Sequence, residues 1–258
     1  MKYLWADWDK LGGVLSSGKE KLLLLDFDGT LLPIARSPDA VFLSPDTRNV
    51  LETLSRTPRL HLAIVSGRPL KELRAYLKLE KVFYVANHGL EMKGIGLSLP
   101  ASAKKARKLR RLIFLLARKF ESVFLHNCEG VWVEDKNFTL SLHYRNLPKE
   151  QQVYFTETVN FLKEKYKRHS LLWTAGKRVW EIRPSVFWGK GDAALCLIQK
   201  FPDALPVAIG DDRADEEMFE AVESRGITIR VGRLQHSRAQ YYLESPYDVR
   251  VFLKRLCQ

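Results

Sequence analysis

Four leucines in a row, Leu22 to Leu25, run into Asp26-Phe27-Asp28-Gly29-Thr30. An apolar run this short, bounded by turn residues, predicts a strand buried on both faces. In an open α/β sheet, ligands sit just beyond the carboxyl ends of such strands. Asp26 and Asp28 are therefore expected to project into a site, with Gly29 allowing the chain to turn sharply behind them. Two carboxylates this close repel, so at neutral pH either a cation lies between them or one keeps its proton. An ionised Asp can attack an electrophile such as phosphorus, and a protonated neighbour can pass a proton to the leaving group. The plainer alternative is a strand ending in a solvated turn, common for one Asp before Gly.

Other strand ends repeat the pattern. His61-Leu62-Ala63-Ile64-Val65 stops at Ser66-Gly67-Arg68, where a hydroxyl beside exposed backbone amides suits a phosphate oxygen. Ser-Gly is also an ordinary turn dipeptide. Val82–Ala86 stops at Asn87-His88-Gly89-Leu90-Glu91. Trp188-Gly189-Lys190-Gly191-Asp192 opens a helix to about Lys200, and a lysine between two glycines there can reach a dianionic phosphate or serve as a plain loop lysine. Its spacing is not that of a Walker A loop. Pro206–Gly210 stops at Asp211-Asp212, with Asp215, Glu216 and Glu217 following. Hard oxygen ligands at a strand end suit Mg²⁺, and Asp211 is the better placed. Asp215 to Glu217 also suit a helix N-terminus.

Between about 93 and 187 the character changes. A basic amphipathic helix is predicted over Ala101–Phe120, with Leu109, Leu112, Ile113, Leu116 and Phe120 on its apolar face. Strands are predicted over Ser122–His126, Gly130–Glu134 and Phe138–Arg145, a helix over about 148–168, and strands over Leu171–Thr174 and Arg178–Arg183. This is an α+β unit set into a parallel-sheet pattern, as an inserted lid requires. His143 and Arg145 end one of its strands. Glu181 and Arg183 share a face of another, as a surface ion pair or as ligands for sugar hydroxyls and phosphate.

At 258 residues the chain allows one large domain or two modest ones. Hydrophobic content of 46% with 28% charged residues suits a globular protein with an ample core. No apolar stretch reaches membrane-span length. The first twenty residues carry Asp7, Asp9 and Glu20 without a signal core, so a cytoplasmic location is expected. Cys128, Cys196 and Cys257 predict reduced thiols, with neither a disulfide framework nor zinc spacing. The net charge of +12 fits nucleic-acid binding or the steering of small anions. The basic stripe lacks the interleaved aromatics of a base-stacking surface. A monomer is expected, with neither nucleic acid nor membrane as partner.

Asp26-Phe27-Asp28-Gly29-Thr30-Leu31, Ser66, Lys190 and Asp211 to Asp215 together resemble, in order and context, the haloacid dehalogenase-like phosphatases. Ile64-Val65-Ser66-Gly67-Arg68, Asn87 to Glu91, His143-Tyr144-Arg145, Glu181 to Pro184, Gly189-Lys190-Gly191 and Gly210-Asp211-Asp212 narrow the likeness to trehalose-6-phosphate phosphatases. That resemblance implies an α/β fold: a Rossmann-like parallel-sheet core over 1–92 and 188–258, with an inserted α+β cap over 93–187. It implies Mg²⁺-dependent hydrolysis of trehalose 6-phosphate through an aspartyl-phosphate, in trehalose biosynthesis. Asp26, Asp28, Ser66 and Lys190 are then catalytic. Asp26, Asp28 and Asp211 hold the metal, with Asp215 behind them. Arg68, Asn87, His88, Glu91, His143, Arg145, Glu181 and Arg183 contact substrate. Ala214 stands where the family usually has Thr, which removes a hydroxyl but no carboxylate. Phosphatases for sucrose or glucosylglycerol phosphate are the nearest alternative, and a non-catalytic anion- or nucleic-acid-binding protein a more distant one.

Overall fold

The computed structural model describes residues 1–33, 42–97, 104, 108–124, 127–176, 178–185 and 188–257. The chain divides into two compact units, Met1–Ser98 with Trp188–Gln258, and Leu99–Phe187.

The first unit is built on an eight-stranded sheet. Its strands are β1 (Lys2–Tyr3), β2 (Lys21–Asp26), β3 (Leu60–Val65), β4 (Phe83–Ala86), β5 (Glu91–Lys93), β10 (Leu205–Gly210), β11 (Ile227–Val231) and β12 (Tyr241–Leu243). Their order is β1-β12-β11-β10-β2-β3-β4-β5, parallel throughout except for β5 against β4. The leucine run explains the centre of this sheet. Successive side chains of a strand point to opposite faces, and Leu22 to Leu25 are all 0% exposed, so both faces are covered. Leu23 and Leu25 join a core with residues of the helices Trp8–Leu15, Pro45–Arg56, Leu70–Leu77 and Pro246–Arg255. Leu22 and Leu24 join a second core with residues of the helices Lys190–Lys200 and Asp215–Val222. The helix over 45–56 starts as its sequence predicts, with Pro45 in the first turn and the Ser44 hydroxyl accepting from Thr47 N at 3.1 Å. At the chain start, β1 and a short 3-10 turn, Leu4–Asp7, precede the helix Trp8–Leu15.

The second unit carries an antiparallel sheet of β6 (Trp132–Asp135), β7 (Leu140–His143), β8 (Leu171–Gly176) and β9 (Val179–Pro184), in the order β6-β7-β9-β8. Leu140, Leu142 and Ile182 pack with Ile113, Leu116, Phe120, Phe155 and Val159 of the helices Arg110–Phe124 and Gln152–Lys165. The strand expected over Ser122–His126 is not formed by its described part. Ser122, Val123 and Phe124 are the last turn of the helix, because Phe124 continues the apolar face of Phe120 and packs on Phe155 at 5.0 Å. His126, and Ala101, Lys105 and Arg107 of the predicted basic helix, lie outside the described residues.

Charge is divided unequally. Residues 99–187 hold 18 of the 42 basic and 8 of the 30 acidic residues, so +10 of the net +12 lies in the second unit. Among the described residues no helix is long and apolar enough to cross a membrane.

Candidate active site

Parallel pairing puts the ends of β2, β3, β4 and β10 at one sheet edge, and with them Asp26, Ser66, Asn87 and Asp211. Asp26 closes β2 and is 4% exposed. Its Oδ1 accepts from Lys190 Nζ at 2.7 Å, and its buried Oδ2 has no hydrogen-bond partner. Lys190 opens the helix 190–200, is itself buried, and gives a second 2.7 Å bond to Asp215 Oδ1. Asp212 stands 4.0 Å from the same ammonium. Burial alone lowers a lysine's pKa, but Asp26, Asp215 and Asp212 outweigh it and hold Lys190 raised.

Asp215 is fully engaged. Beyond Lys190, its Oδ2 accepts from the main-chain nitrogens of Asp211 and Asp212 at 2.9 and 3.0 Å, which pins the loop after β10. Burial first, then the neighbouring acids, pushes Asp26 up to about 7 and Asp211 up to about 6. Asp26, Asp211 and Asp215 each bring a carboxylate oxygen within 4.8 Å of the others. Crowded acids with raised pKa values and one orphaned oxygen fit a hard divalent cation held between Asp26 and Asp211. Asp215 has both oxygens committed, to Lys190 and to the main-chain nitrogens of the loop.

The glycines of these motifs are explained by close approach. A Cβ on Gly29, which has φ +87°, would lie 2.2 Å from Asp211 Oδ2. Gly189 and Gly191 let the helix 190–200 press onto Glu217, 2.1 Å from its Oε2 and 2.6 Å from its carbonyl at the positions of their missing Cβ atoms. Lys190 is thereby seated at the bottom of the cluster.

Asp28 lies further out, its side chain 47% exposed. Arg68 clamps it: Nε donates to Oδ2 and Nη2 to Oδ1, both at 2.7 Å. The third guanidinium nitrogen donates to Glu72, and the rings of Phe27 and Tyr76 flank the group at 5.4 Å. Arg68, expected to contact substrate, thus has its hydrogen-bonding edge turned to two side chains of its own unit. Ser66 is buried; its Oγ accepts from Arg68 N at 3.1 Å and keeps a hydroxyl proton to donate. The His88 ring lies against Gly67, where a Cβ would come within 2.7 Å of it. Asn87 Nδ2 donates to Glu91, which also accepts from Leu70 N at 3.1 Å. Asn87 and Glu91 therefore tie the β4 loop to the start of the helix 70–77.

Sequence reasoning passed over Arg230. It donates to the Asp211 carbonyl, to the Asp212 carbonyl at 3.2 Å and to Glu216 at 3.0 Å, and so braces the acidic loop from the neighbouring strand. A charge in the middle of the buried run Ile227–Val231 was the available signal.

In the second unit, cross-strand register puts Trp132 opposite His143, Glu134 opposite Ser141, and Ser141 opposite Glu181. His143, Glu181 and, two residues on, Arg183 therefore share the sheet face turned away from the helices. Glu134, also missed, pairs with His143 at 2.8 Å. Burial alone would raise its pKa, but His143 and Lys136 hold it lowered. Trp132, half exposed, stacks on the His143 ring at 4.6 Å. Arg145 follows β7 in an exposed turn.

The fold is that of the haloacid dehalogenase-like hydrolases. The trehalose-phosphatase family pattern matches residues 24–247. Probable trehalose-phosphate phosphatase D of Arabidopsis thaliana is 32% identical over 262 residues, covering 94% of this chain and 69% of that protein. Trehalose-phosphate phosphatase B of the same plant is 31% identical, covering 94% and 68%. The solved C-terminal domain of C. albicans trehalose-6-phosphate phosphatase superposes with a TM-score of 0.75 at 23% identity, covering 96% of each chain. The chain belongs to the trehalose-phosphatase family.

Proposed function

We propose that the protein hydrolyses trehalose 6-phosphate to trehalose and phosphate, with Asp26 as the nucleophile. Family membership supports the substrate, and the chemistry is carried by Asp26, whose unpartnered Oδ2 stands beside Lys190 and Asp211. Mg²⁺ held by Asp26, Asp211 and the Asp28 main-chain carbonyl would neutralise the phosphate as a Lewis acid. Asp26 attacks phosphorus in line and becomes the aspartyl-phosphate. Lys190 and the Ser66 hydroxyl hold phosphate oxygens as charge moves onto them. Asp28 gives a proton to the departing sugar oxygen, then takes one from the water that cleaves the aspartyl-phosphate. Arg68 holds Asp28 in position, while Asn87, His88 and Glu91 shape the neighbouring loop.

Residues 93–187 are the proposed specificity domain, and 1–92 with 188–258 the catalytic one. Trp132 stacked on His143, with Glu134, Glu181 and Arg183 on the same open face, is the kind of surface that holds a sugar: a ring to stack on and charged groups for hydroxyls. The three cysteines are all free thiols, which supports action in the cytoplasm, and we take the enzyme to be a monomer.

Phosphate release with Mg²⁺ on trehalose 6-phosphate, sucrose 6-phosphate, glucose 6-phosphate and an aryl phosphate tests the proposal. Strong preference for the first is expected. Turnover of the aryl phosphate alone overturns the substrate, and no turnover of any overturns the reaction. Glu181→Ala is expected to raise KM for the disaccharide phosphate and leave the aryl phosphate unchanged.

A further inference from the structure

A cavity of 830 Å³ lies in the first unit at the opposite end of the strands from Asp26. It is lined where β3 and β4 begin, at Leu60, His61, Phe83 and Tyr84, whereas Ser66 and Asn87 follow where those strands finish. A six-residue strand separates the two ends by about 17–20 Å, so the cavity is distinct from the phosphatase centre.

Its chemistry is two-sided. Leu60, Leu79, Val82 and Phe83 give it apolar walls. Arg74, Lys78, Lys81 and Lys93 also line it, against one carboxylate, Glu80. Among the described residues none of these four cations forms a salt bridge. His61 is already occupied by Glu20 at 2.7 Å and by the stacked ring of Phe201. The first unit as a whole carries only +2, so outside the cavity's five charges it is −1. Four unpaired cations around low-dielectric walls focus a positive potential inward, and apolar walls favour a ligand that brings matching surface.

We propose that this cavity is a second binding site, for a small amphipathic anion: an aromatic or alkyl body bearing a sulfonate, carboxylate or phosphate. The walls take the body and the basic rim takes the head. An occupant also touches the stretch Lys93, Gly94 and Ile95. That stretch, with Gly96 after it, is pressed to the core at two points. A Cβ on Gly94 would fall 2.2 Å from the Phe83 ring, and Lys200 donates to the Gly96 carbonyl at 3.2 Å.

The test uses the full chain, labelled with nitrogen-15, and anilinonaphthalene sulfonate as the probe, with inorganic phosphate as the head group without a body. Saturable movement of the amide signals of Leu79 to Tyr84 and Lys93 to Ile95 is expected with the sulfonate, and phosphate alone is expected to bind at least about tenfold more weakly. Lys78→Glu with Lys93→Glu reverses half of the rim's positive charge and is expected to weaken the sulfonate about tenfold at 0.15 M salt, where the screening length is about 8 Å. Arg213→Glu with Arg233→Glu changes net charge equally. The two residues follow the carboxyl ends of β10 and β11 and so stand at the other end of the sheet from the cavity. This pair is expected to leave the affinity within about twofold, as charges beyond the screening length do. Absence of binding, signal movement confined to other residues, equal binding of bare phosphate, or equal weakening by both pairs of reversals overturns the site.

Discussion

Lys190→Met keeps the length of the side chain and removes its charge. The ammonium is 2% exposed and lies 2.7 Å from Asp26 and Asp215, whose side chains are 5% and 0% exposed. Removing one partner of a buried ion pair costs about 3–5 kcal/mol, because the charges left behind stay desolvated. The acids can limit this by taking up a proton, and Asp26, already pushed up to about 7 by burial, does so readily. We expect a loss of about 3 kcal/mol at pH 8, shrinking towards pH 5. In the variant the folded acids have pKa values above their unfolded ones. The folded state then binds more protons than the unfolded state, and its stability falls as pH rises between those values. In the parent, the raised pKa of Lys190 contributes stability that is complete below 10.5 and is lost only above it. Urea unfolding of both proteins at the two pH values, with a chelator present, reads the difference. A loss below about 1 kcal/mol at pH 8, or one that grows on acidification, refutes the buried-pair reasoning.

Other expectations rest on neighbouring contacts. Arg68→Ala releases both oxygens of Asp28; kcat on a sugar phosphate is expected to fall on the order of a hundredfold. Nitrophenyl phosphate, whose leaving group departs without a proton, is expected to lose far less, and equal losses would show that Arg68 holds phosphate. Gly29→Ala forces a methyl group against Asp211 at a backbone angle few side chains adopt. It is expected to lower both the melting temperature and Mg²⁺ affinity, and a variant that binds Mg²⁺ normally contradicts the packing described. Mg²⁺ at a hundred times its Kd is expected to raise stability by about 2.7 kcal/mol. That gain is expected to disappear in Asp211→Asn. Because Asp26 and Asp211 must lose protons at about 7 and about 6, affinity is expected to climb between pH 5 and pH 8. A flat pH profile argues that the ion binds elsewhere.

Much of the catalytic edge is legible because each piece stands where an apolar run stops: Asp26 after Leu25, Ser66 after Val65, Asp211 after Gly210. Such signals are local, and parallel pairing brings them together without further information. What stays hidden depends on partners distant in sequence. Arg68 clamps Asp28 from 40 residues away, and nothing about Ser66-Gly67-Arg68 says whether its guanidinium faces phosphate or carboxylate. Arg230 reads as an anomaly in a strand until β11 is laid beside β10. Glu134 meets His143 only through the register of β6 on β7. Ser122 to Phe124 favour a strand by residue type, yet the apolar face begun at Ile113 carries them on as helix. The rim of the second cavity is four ordinary surface cations until the fold converges them.

The most direct test of the mechanism is to quench the enzyme with borohydride during turnover of trehalose 6-phosphate and map the products by peptide mass spectrometry. An acyl phosphate on Asp26 is reduced to homoserine, so conversion at position 26, dependent on substrate, is the expected result. Homoserine at another position, or none under active turnover, would contradict Asp26 as the nucleophile.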